Sequence, residues 1–177
     1  MIRKRPSPEH YNPAMQRYVS LIQEVDILDV LESQLRRWLP ALAALPPDRA
    51  GFRYAAGKWT IREVVGHVTD TERVFGYRAL ALARGETASL PPFDENVYAA
   101  AAGHDRCPFP ELIDELSALR RSHVHLFRHL DDASWDRVGT AGGFATTPRA
   151  MSYVMAGHVR WHGMVLAERY GLDARDA

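Results

Sequence analysis

The sequence predicts an all-α fold, a four-helix bundle with a long crossover connection between helices two and three. Apolar residues recur at spacings of three and four in four segments of about twenty residues, which is the spacing of one helical face. Start and stop signals bound these segments, and no convincing alternating strand pattern or internal repeat competes with them. The connection between helices two and three is long, which permits a crossover instead of a simple up-and-down arrangement.

Length and composition indicate one soluble globular domain. The 177 residues are 46% hydrophobic and 25% charged, a balance typical of ordinary globular proteins. No stretch approaches the roughly 18 uninterrupted apolar residues that a membrane span needs. The 22 basic residues balance 22 acidic ones, which argues against a nucleic-acid partner because phosphate binding usually brings a basic excess. The only cysteine is Cys107, and the basic start lacks an apolar signal region, so a cytoplasmic location is expected.

Residues 1-18 are expected to form an extended N-terminal arm, because three prolines remove backbone donors there. The bundle domain is expected to cover residues 19-172. Its first helix is predicted from about residue 19 to residue 44. Pro40 should kink that helix or end its regular part, and Pro46-Pro47 should stop it.

Helix two has a clear start signal. Thr60 precedes Glu63 by three residues, so the hydroxyl and the carboxylate can each accept a hydrogen bond from the other residue's free backbone N–H. An apolar stripe continues to about Ala83, and Gly85 is placed to end the helix.

The remaining elements follow from similar signals. The connection after helix two contains four prolines, with one short helical turn expected around residues 95 to 102. Helix three is predicted from Pro110 to about Leu130. Thr147 and Pro148 occupy good N-cap and first-turn positions for helix four, which Gly171 should end.

Two of the histidine pairs have i, i+4 spacing, and they differ in the helix face on which they lie. His158 and His162 fall in the centre of the apolar stripe of helix four, so they should point inward, whereas His125 and His129 lie on a solvated face. Buried imidazoles need partners for a donor and an acceptor, which hydrogen bonds or a metal ion can provide. Side chains one helical turn apart can converge on one ion. A metal site and a hydrogen-bonded core pair both stay open on this spacing alone.

A third ligand would come from another helix, because bundle sites are built from facing side chains. His67, at the edge of the stripe of helix two, is the leading candidate, and His123 on the stripe of helix three is the alternative metal ligand. Glu72 falls within the stripe of helix two. It could orient an imidazole, serve as a base, or form an internal salt bridge, for example with Arg169 of helix four.

Three segments resemble the DinB-like family, also called the DinB/YfiT-like metalloenzymes. They are RYAAGKWTIREVVGHVTDTERVFGYRALALARGE, LPPFDENVYAAAAG and AGHVRWHGMVLAERYG, and the resemblance runs from about Leu28 to Gly171. It implies a four-helix bundle with a crossover that often forms homodimers. It also implies a metal triad with one histidine from helix two and two from helix four, which falls on His67, His158 and His162.

Helix four departs from the family pattern. In many relatives its motif resembles His-Glu-x-His-His, whereas this chain reads HVRWH from His158 to His162, so the Glu and the middle His are absent. A role for that Glu therefore cannot be carried over. The segment is also not a zinc-protease motif, which needs Glu directly after the first histidine as general base.

Three neutral imidazoles leave coordination positions open on a divalent ion, as in catalytic rather than structural sites. Zn, Ni or Fe is expected, since imidazole suits each of them. The expected activity is hydrolysis or transfer dependent on a low-molecular-weight thiol, because the resemblance extends to thiol-dependent transferases and an isomerase. The partner would be a small-molecule substrate.

Carboxylates that could act as base or orienting group are Glu72, Asp70 and Asp94, although Asp94 is better explained as a turn or helix-cap residue. The alternative is a binding protein rather than an enzyme, a metal-free bundle that binds a small ligand or a partner protein. In that case Glu72 or backbone carbonyls would satisfy the inward histidines.

Overall fold

The computed structural model describes residues 4–46 and 48–172, and it confirms the predicted helical bundle. The α-helices in chain order are α1 (Gln16–Val19), α2 (Ile27–Ser33), α3 (Leu35–Ala43), α4 (Ile61–Ala83), α5 (Glu95–Ala102), α6 (Phe109–Arg128), α7 (Asp132–Trp135) and α8 (Pro148–Tyr170). Both α4 and α2 pack chiefly against α6 and α8. Helices α2 and α4 therefore lie at opposite corners of the bundle, and α5 lies in the long connection between α4 and α6.

Side-chain caps bound the long helices as the sequence predicts. Thr60 and Glu63 form a complete capping box at the start of α4, with the Thr60 amide 2.7 Å from a Glu63 carboxylate oxygen. Thr147 caps α8, accepting a hydrogen bond from the amide of Ala150, and Gly171 ends that helix with a positive φ of 66°. The short helix expected around residues 95 to 102 is α5.

The first bundle helix begins later than predicted and is interrupted. It begins at Ile27, after the N-cap residue Asp26, and it breaks at Gln34 between α2 and α3. Pro40 lies within α3, which continues to Ala43, so the interruption is not at the proline. Of the predicted stop Pro46-Pro47, the second proline lies outside the described residues.

The break at Gln34 coincides with long-range hydrogen bonds. The buried Gln34 amide donates to the carbonyl of Ala156 on α8 at 2.8 Å, and its oxygen accepts from Arg120 on α6 at 3.0 Å. Arg120 also donates to the carbonyl of Leu31 at 3.2 Å. These bonds join the interrupted helix to the two helices on which it packs.

The extended conformation expected for the N-terminal arm is wrong for its described part. Two 3-10 turns, Pro8–His10 and Pro13–Met15, lead into α1. Pro8 and Pro13 stand at first-turn positions, where their missing N–H costs nothing. The first three residues of the arm lie outside the described part of the chain.

A small β-hairpin precedes α8 and was not predicted. Its antiparallel strands are β1 (Gly139–Ala141) and β2 (Phe144–Thr146). The connecting Gly142 and Gly143 have φ values of 58° and 85°, as a two-residue turn of type I′ requires. Three-residue strands are too short to produce a clear alternation in the sequence. No helix among the described residues is long and apolar enough to cross a membrane.

Candidate metal centre

Helices α4 and α8 bring together the three histidines that the sequence singles out. The Nε2 atom of His158 lies 3.0 Å from Nε2 of His67 and 3.1 Å from Nε2 of His162. One ring nitrogen from each residue lies within 4.8 Å of the others, and all three side chains are buried. His67 faces the pair because α4 and α8 are packed neighbours in the bundle.

The three imidazoles cannot satisfy one another by hydrogen bonding. A ring nitrogen carries either one proton or one lone pair, so Nε2 of His158 can make one full hydrogen bond and not two. In addition, Nδ1 of His162 is buried and has no hydrogen-bond partner in the described part of the chain. A cation that accepts lone pairs from all three Nε2 atoms removes the conflict at the centre of the group. The donor set therefore fits a divalent metal ion.

Burial keeps these histidines in the neutral form that binds metal. It lowers the pKa of His67 to about 4, with a smaller contribution from His104. It lowers the pKa of His162 to about 3, helped by His67 and Arg17. The pKa of His158 falls well below its usual range, again chiefly because of burial and then because of the two neighbouring imidazoles. At neutral pH all three rings are therefore uncharged.

Aromatic rings surround the histidine group. Trp59 lies against His67 with ring centroids 4.7 Å apart, and Tyr18 packs edge-on to His158 at 5.2 Å. Phe75 approaches His158 from α4 at 6.3 Å. These ring contacts limit the rotation of the imidazoles.

His123 and Glu72 lie in a separate buried group. Nδ1 of His123 is 3.1 Å from a Glu72 carboxylate oxygen, and Arg120 binds both carboxylate oxygens of Glu72. His123 is not one of the three converging residues. The salt bridge suggested for Glu72 is present, but the partner suggested for it is wrong, since Arg169 is exposed and Arg120 of α6 takes its place.

The other candidate carboxylates also have structural partners. Asp94 is exposed and caps α5, accepting hydrogen bonds from the amides of Asn96 at 2.9 Å and Val97 at 3.1 Å. Asp70 binds Nε2 of His104 at 3.1 Å. The sequence did not indicate that pair, because His104 lies in the connection after α5. The expected exposure of His125 and His129 is confirmed.

A pocket of about 140 Å³ opens beside the histidines. Its walls come from the N-terminal segment, α4, the connection before α5, the hairpin and α8; they include Arg17, Tyr18, His67, Thr71, Phe75, Arg78, Glu95, Gly142, Met151 and His158. Sequence reasoning missed Thr71 and Arg78 as pocket residues. Their spacing from His67 was the available signal, because residues 67, 71, 75 and 78 share one helical face.

Comparisons with known proteins agree with this architecture. A family model described as the DinB superfamily matches residues 31–166, and no protein of curated function matches the sequence. YfiT from Bacillus subtilis, described as "a probable metal-dependent hydrolase with an unusual four-helix bundle topology", is similar in structure with a TM-score of 0.68. It is 20% identical, and the match covers 96% of this chain and 94% of YfiT.

Two structures of a mycothiol-dependent maleylpyruvate isomerase, one of them a mutant, are similar with TM-scores of 0.67 at 14% identity. The match covers 87% of this chain but only 63% of the isomerase. At these identities, the structural likenesses show a shared fold.

Proposed function

The chain belongs to the DinB superfamily, and from that premise we propose that it is a metal-dependent enzyme whose divalent ion is held by His67, His158 and His162. The observation that carries the proposal is the convergence of three neutral, buried Nε2 atoms beside a pocket. Hydrogen bonding alone leaves at least one of these nitrogens unsatisfied. Zn, Ni or Fe fits three imidazole ligands.

A bound divalent ion with open positions would polarise a substrate and lower the pKa of a water or thiol beside it. The protein's own contribution is to keep three imidazoles neutral and fixed and to confine a small substrate next to them. We propose hydrolysis or transfer dependent on a low-molecular-weight thiol as the reaction class. Both agree with what the similar structures are said to do, YfiT as a probable hydrolase and the isomerase as mycothiol-dependent.

One observation favours the thiol. Hydrolysis calls for a general base near the reacting water, and Glu95 is the sole carboxylate among the described residues that line the pocket. Glu95 is exposed, and Glu72 is already bound by Arg120 and His123. A thiol, with a pKa near 8.5 before activation, ionises more easily than water and depends less on such a base.

Metal content tests the proposal directly. The protein is purified without a polyhistidine tag and its bound metal is measured by mass spectrometry, alongside His67→Ala, His158→Ala and His162→Ala. We expect about one divalent ion per chain, lost in all three variants. His125→Ala is the matched control, because that histidine also belongs to an i, i+4 pair but is exposed. Its metal content should equal that of the unchanged protein.

A protein that binds no metal after reconstitution with Zn, Ni and Fe would overturn the enzyme proposal. It would leave the metal-free bundle, which binds a small ligand or a partner protein, as the better account. If metal is bound, reactions run with and without a low-molecular-weight thiol separate the two reaction classes. The homodimer and the cytoplasmic location stay predictions, and light scattering of the purified protein measures the former.

A further inference from the structure

One face of α4 runs along the pocket from the histidine group outward. His67, Thr71, Phe75 and Arg78 follow one another at spacings of four, four and three residues, and all four line the pocket. The two ends of this row are separated by roughly 16 Å along the helix axis. Side chains on a helix lean toward its N-terminus, so Arg78 reaches back toward the histidines.

Arg78 differs from the other buried arginines in having no acidic partner among the described residues. Three arginines are buried among the described residues, namely Arg78, Arg120 and Arg149. Arg120 is paired with Glu72 and Arg149 with Asp136. Arg78 is 8% exposed, and within the described part of the chain its hydrogen-bond partner is the carbonyl of Pro91, which accepts from Nη2 at 2.7 Å. Its guanidinium also lies over the ring of Phe75, 5.8 Å from the centroid.

A buried guanidinium without an anion is costly, since most of its hydration is lost and no opposite charge replaces it. Burial accordingly lowers the pKa of Arg78. A negatively charged group of a bound ligand can offset this cost by pairing with the guanidinium. The position of Arg78 in this pocket thus points to a negatively charged ligand group.

The other charges of the pocket agree with that polarity. Arg17, which is exposed, lines the same pocket and donates a hydrogen bond to the Tyr18 hydroxyl at 2.8 Å. Glu95 is the one acidic lining residue that the structure describes, and it lies within 4.0 Å of neither arginine's guanidinium nitrogens. With neutral histidines, the lining carries two positive charges against one negative charge.

Thr71 supplies a second, independent indication of a polar ligand. Its side chain is 2% exposed, and its Oγ1 atom has no hydrogen-bond partner within the described part of the chain. It lies between His67 and Arg78 on the row that lines the pocket. A buried hydroxyl without a partner costs free energy, which a ligand atom in hydrogen-bond reach recovers.

We propose that this pocket binds a small, elongated organic acid, with its carboxylate paired to Arg78 and a polar atom bound to Thr71. Its other end then reaches His67 and His158, and this orientation rests on the proposed metal-dependent function. Carboxylate binding at Arg78 does not depend on it. The arrangement selects substrates by charge at one end of the pocket and places the reacting group at the other.

A carboxylate matches the pocket better than a phosphate. One buried guanidinium balances one negative charge and can bind a carboxylate through two parallel hydrogen bonds. A phosphate monoester brings about two charges and three acceptor oxygens, for which the pocket of about 140 Å³ offers a single buried cation. Apolar lining from Phe75, Met151 and Val154 suits the hydrocarbon part of such an acid.

Calorimetric titration of the full-length protein tests this assignment with hexanoate, its neutral isostere hexanamide, and butyl phosphate. We expect hexanoate to bind the metal-free protein with a Kd at least tenfold below those of the other two compounds. Arg78→Gln keeps an N–H donor for the Pro91 carbonyl while removing the charge, and it should abolish the preference. Hexanoate has no polar atom besides its carboxylate, so Thr71→Val should leave its Kd unchanged while weakening the binding of 6-hydroxyhexanoate severalfold. Arg73→Gln, an exposed site on the same helix, should leave the Kd unchanged.

Two further measurements keep the test independent of folding and of the metal. Arg78→Met removes an unpaired buried charge, so its Tm should equal or exceed that of the unchanged protein while the preference for hexanoate is lost. Metal content should be the same in all Arg78 variants. Equal Kd values for hexanoate and hexanamide, or an unchanged preference in Arg78→Gln and Arg78→Met, would overturn the assignment. Tighter binding of butyl phosphate would overturn the choice of a carboxylate.

Because the titration uses metal-free protein, its result is separate from that of the metal analysis. A chain that binds no metal but prefers hexanoate through Arg78 would retain the anion site and lose the enzymatic proposal. A chain that binds metal but binds hexanoate and hexanamide equally well would retain the enzymatic proposal and lose the anion site.

Discussion

Gly157 on α8 lies directly against the backbone of Tyr18, so closely that a Cβ atom at position 157 would overlap the Tyr18 carbonyl. Tyr18 in turn packs edge-on to His158 and forms part of the pocket wall. The missing side chain at Gly157 therefore sets how near the N-terminal segment lies to the candidate metal ligands.

Gly157→Ala should destabilise the protein by about 1–3 kcal/mol, because a backbone carbonyl cannot move aside as a flexible side chain can. Urea unfolding measures the loss, and the ring of Tyr18 should shift relative to His158 in the NMR spectrum. Gly51→Ala is the control, since a Cβ there meets open space. Equal stability of the Gly157→Ala protein would show that this close approach is not a constraint.

Removing one member of the Glu72–Arg120 pair should lower the free energy of unfolding more than removing both. Glu72→Ala leaves a guanidinium that is 2% exposed without its anion, and we expect a loss of about 3–5 kcal/mol in the free energy of unfolding. Glu72→Leu combined with Arg120→Met should recover most of that loss. Metal content should be retained in Glu72→Gln. Loss of metal in that variant would instead make Glu72 an orienting group of the metal site.

His123→Gln should retain about one bound ion per chain. The His123 ring contacts Glu72 and lies outside the three converging imidazoles, so its removal takes no ligand from the group. Mass spectrometry of the purified variant measures its metal content. His67→Gln, which removes a proposed ligand, is the comparison variant that should lose the ion. Ion loss in His123→Gln with retention in His67→Gln would make His123 the third ligand.

The metal-free protein should lose stability as the pH falls from about 6.5 toward 4. The unfolded chain takes up protons on its histidines near pH 6.5, whereas the folded chain holds His67 at a pKa of about 4 and His162 at about 3. Because the unfolded state binds more protons in this window, the free energy of unfolding decreases with falling pH, by up to about 1.4 kcal/mol per pH unit per histidine.

Urea titrations at several pH values measure that slope. His67→Gln should reduce the slope of the free energy of unfolding against pH by the contribution of one histidine. His125→Gln, which removes an exposed ring, serves as the control. A slope that is the same in His67→Gln as in the unchanged protein would contradict the burial of His67 in its neutral form.

Local signals in the sequence predicted much of the fold. The ends of α4 and α8 depend on caps within a few residues, such as Thr60 with Glu63, and they were predicted correctly. The inward placement of His158 and His162 follows from the period of one helix. The break at Gln34 was not predictable in this way, because it accompanies hydrogen bonds to Ala156 and Arg120, which are 122 and 86 residues away in sequence.

Contacts between helices likewise could not be predicted from the sequence at the site. The sequence indicates that Glu72 is buried, but only the packing of α4 on α6 makes Arg120 its partner. That no described carboxylate pairs with Arg78 is likewise a property of the whole fold, since it depends on where each of them lies. The hairpin at Gly142-Gly143 was missed because three-residue strands produce no periodicity.

Part of the pocket wall lies outside the stretch that matches the superfamily. The match begins at residue 31, whereas Asn12, Met15, Arg17 and Tyr18 line the pocket from the segment before it. Exchanging that segment between relatives would therefore change part of the pocket wall while keeping the three histidines in the sequence. Under the proposed function, chimaeric chains that differ only before residue 31 would measure how far this part of the wall sets substrate preference.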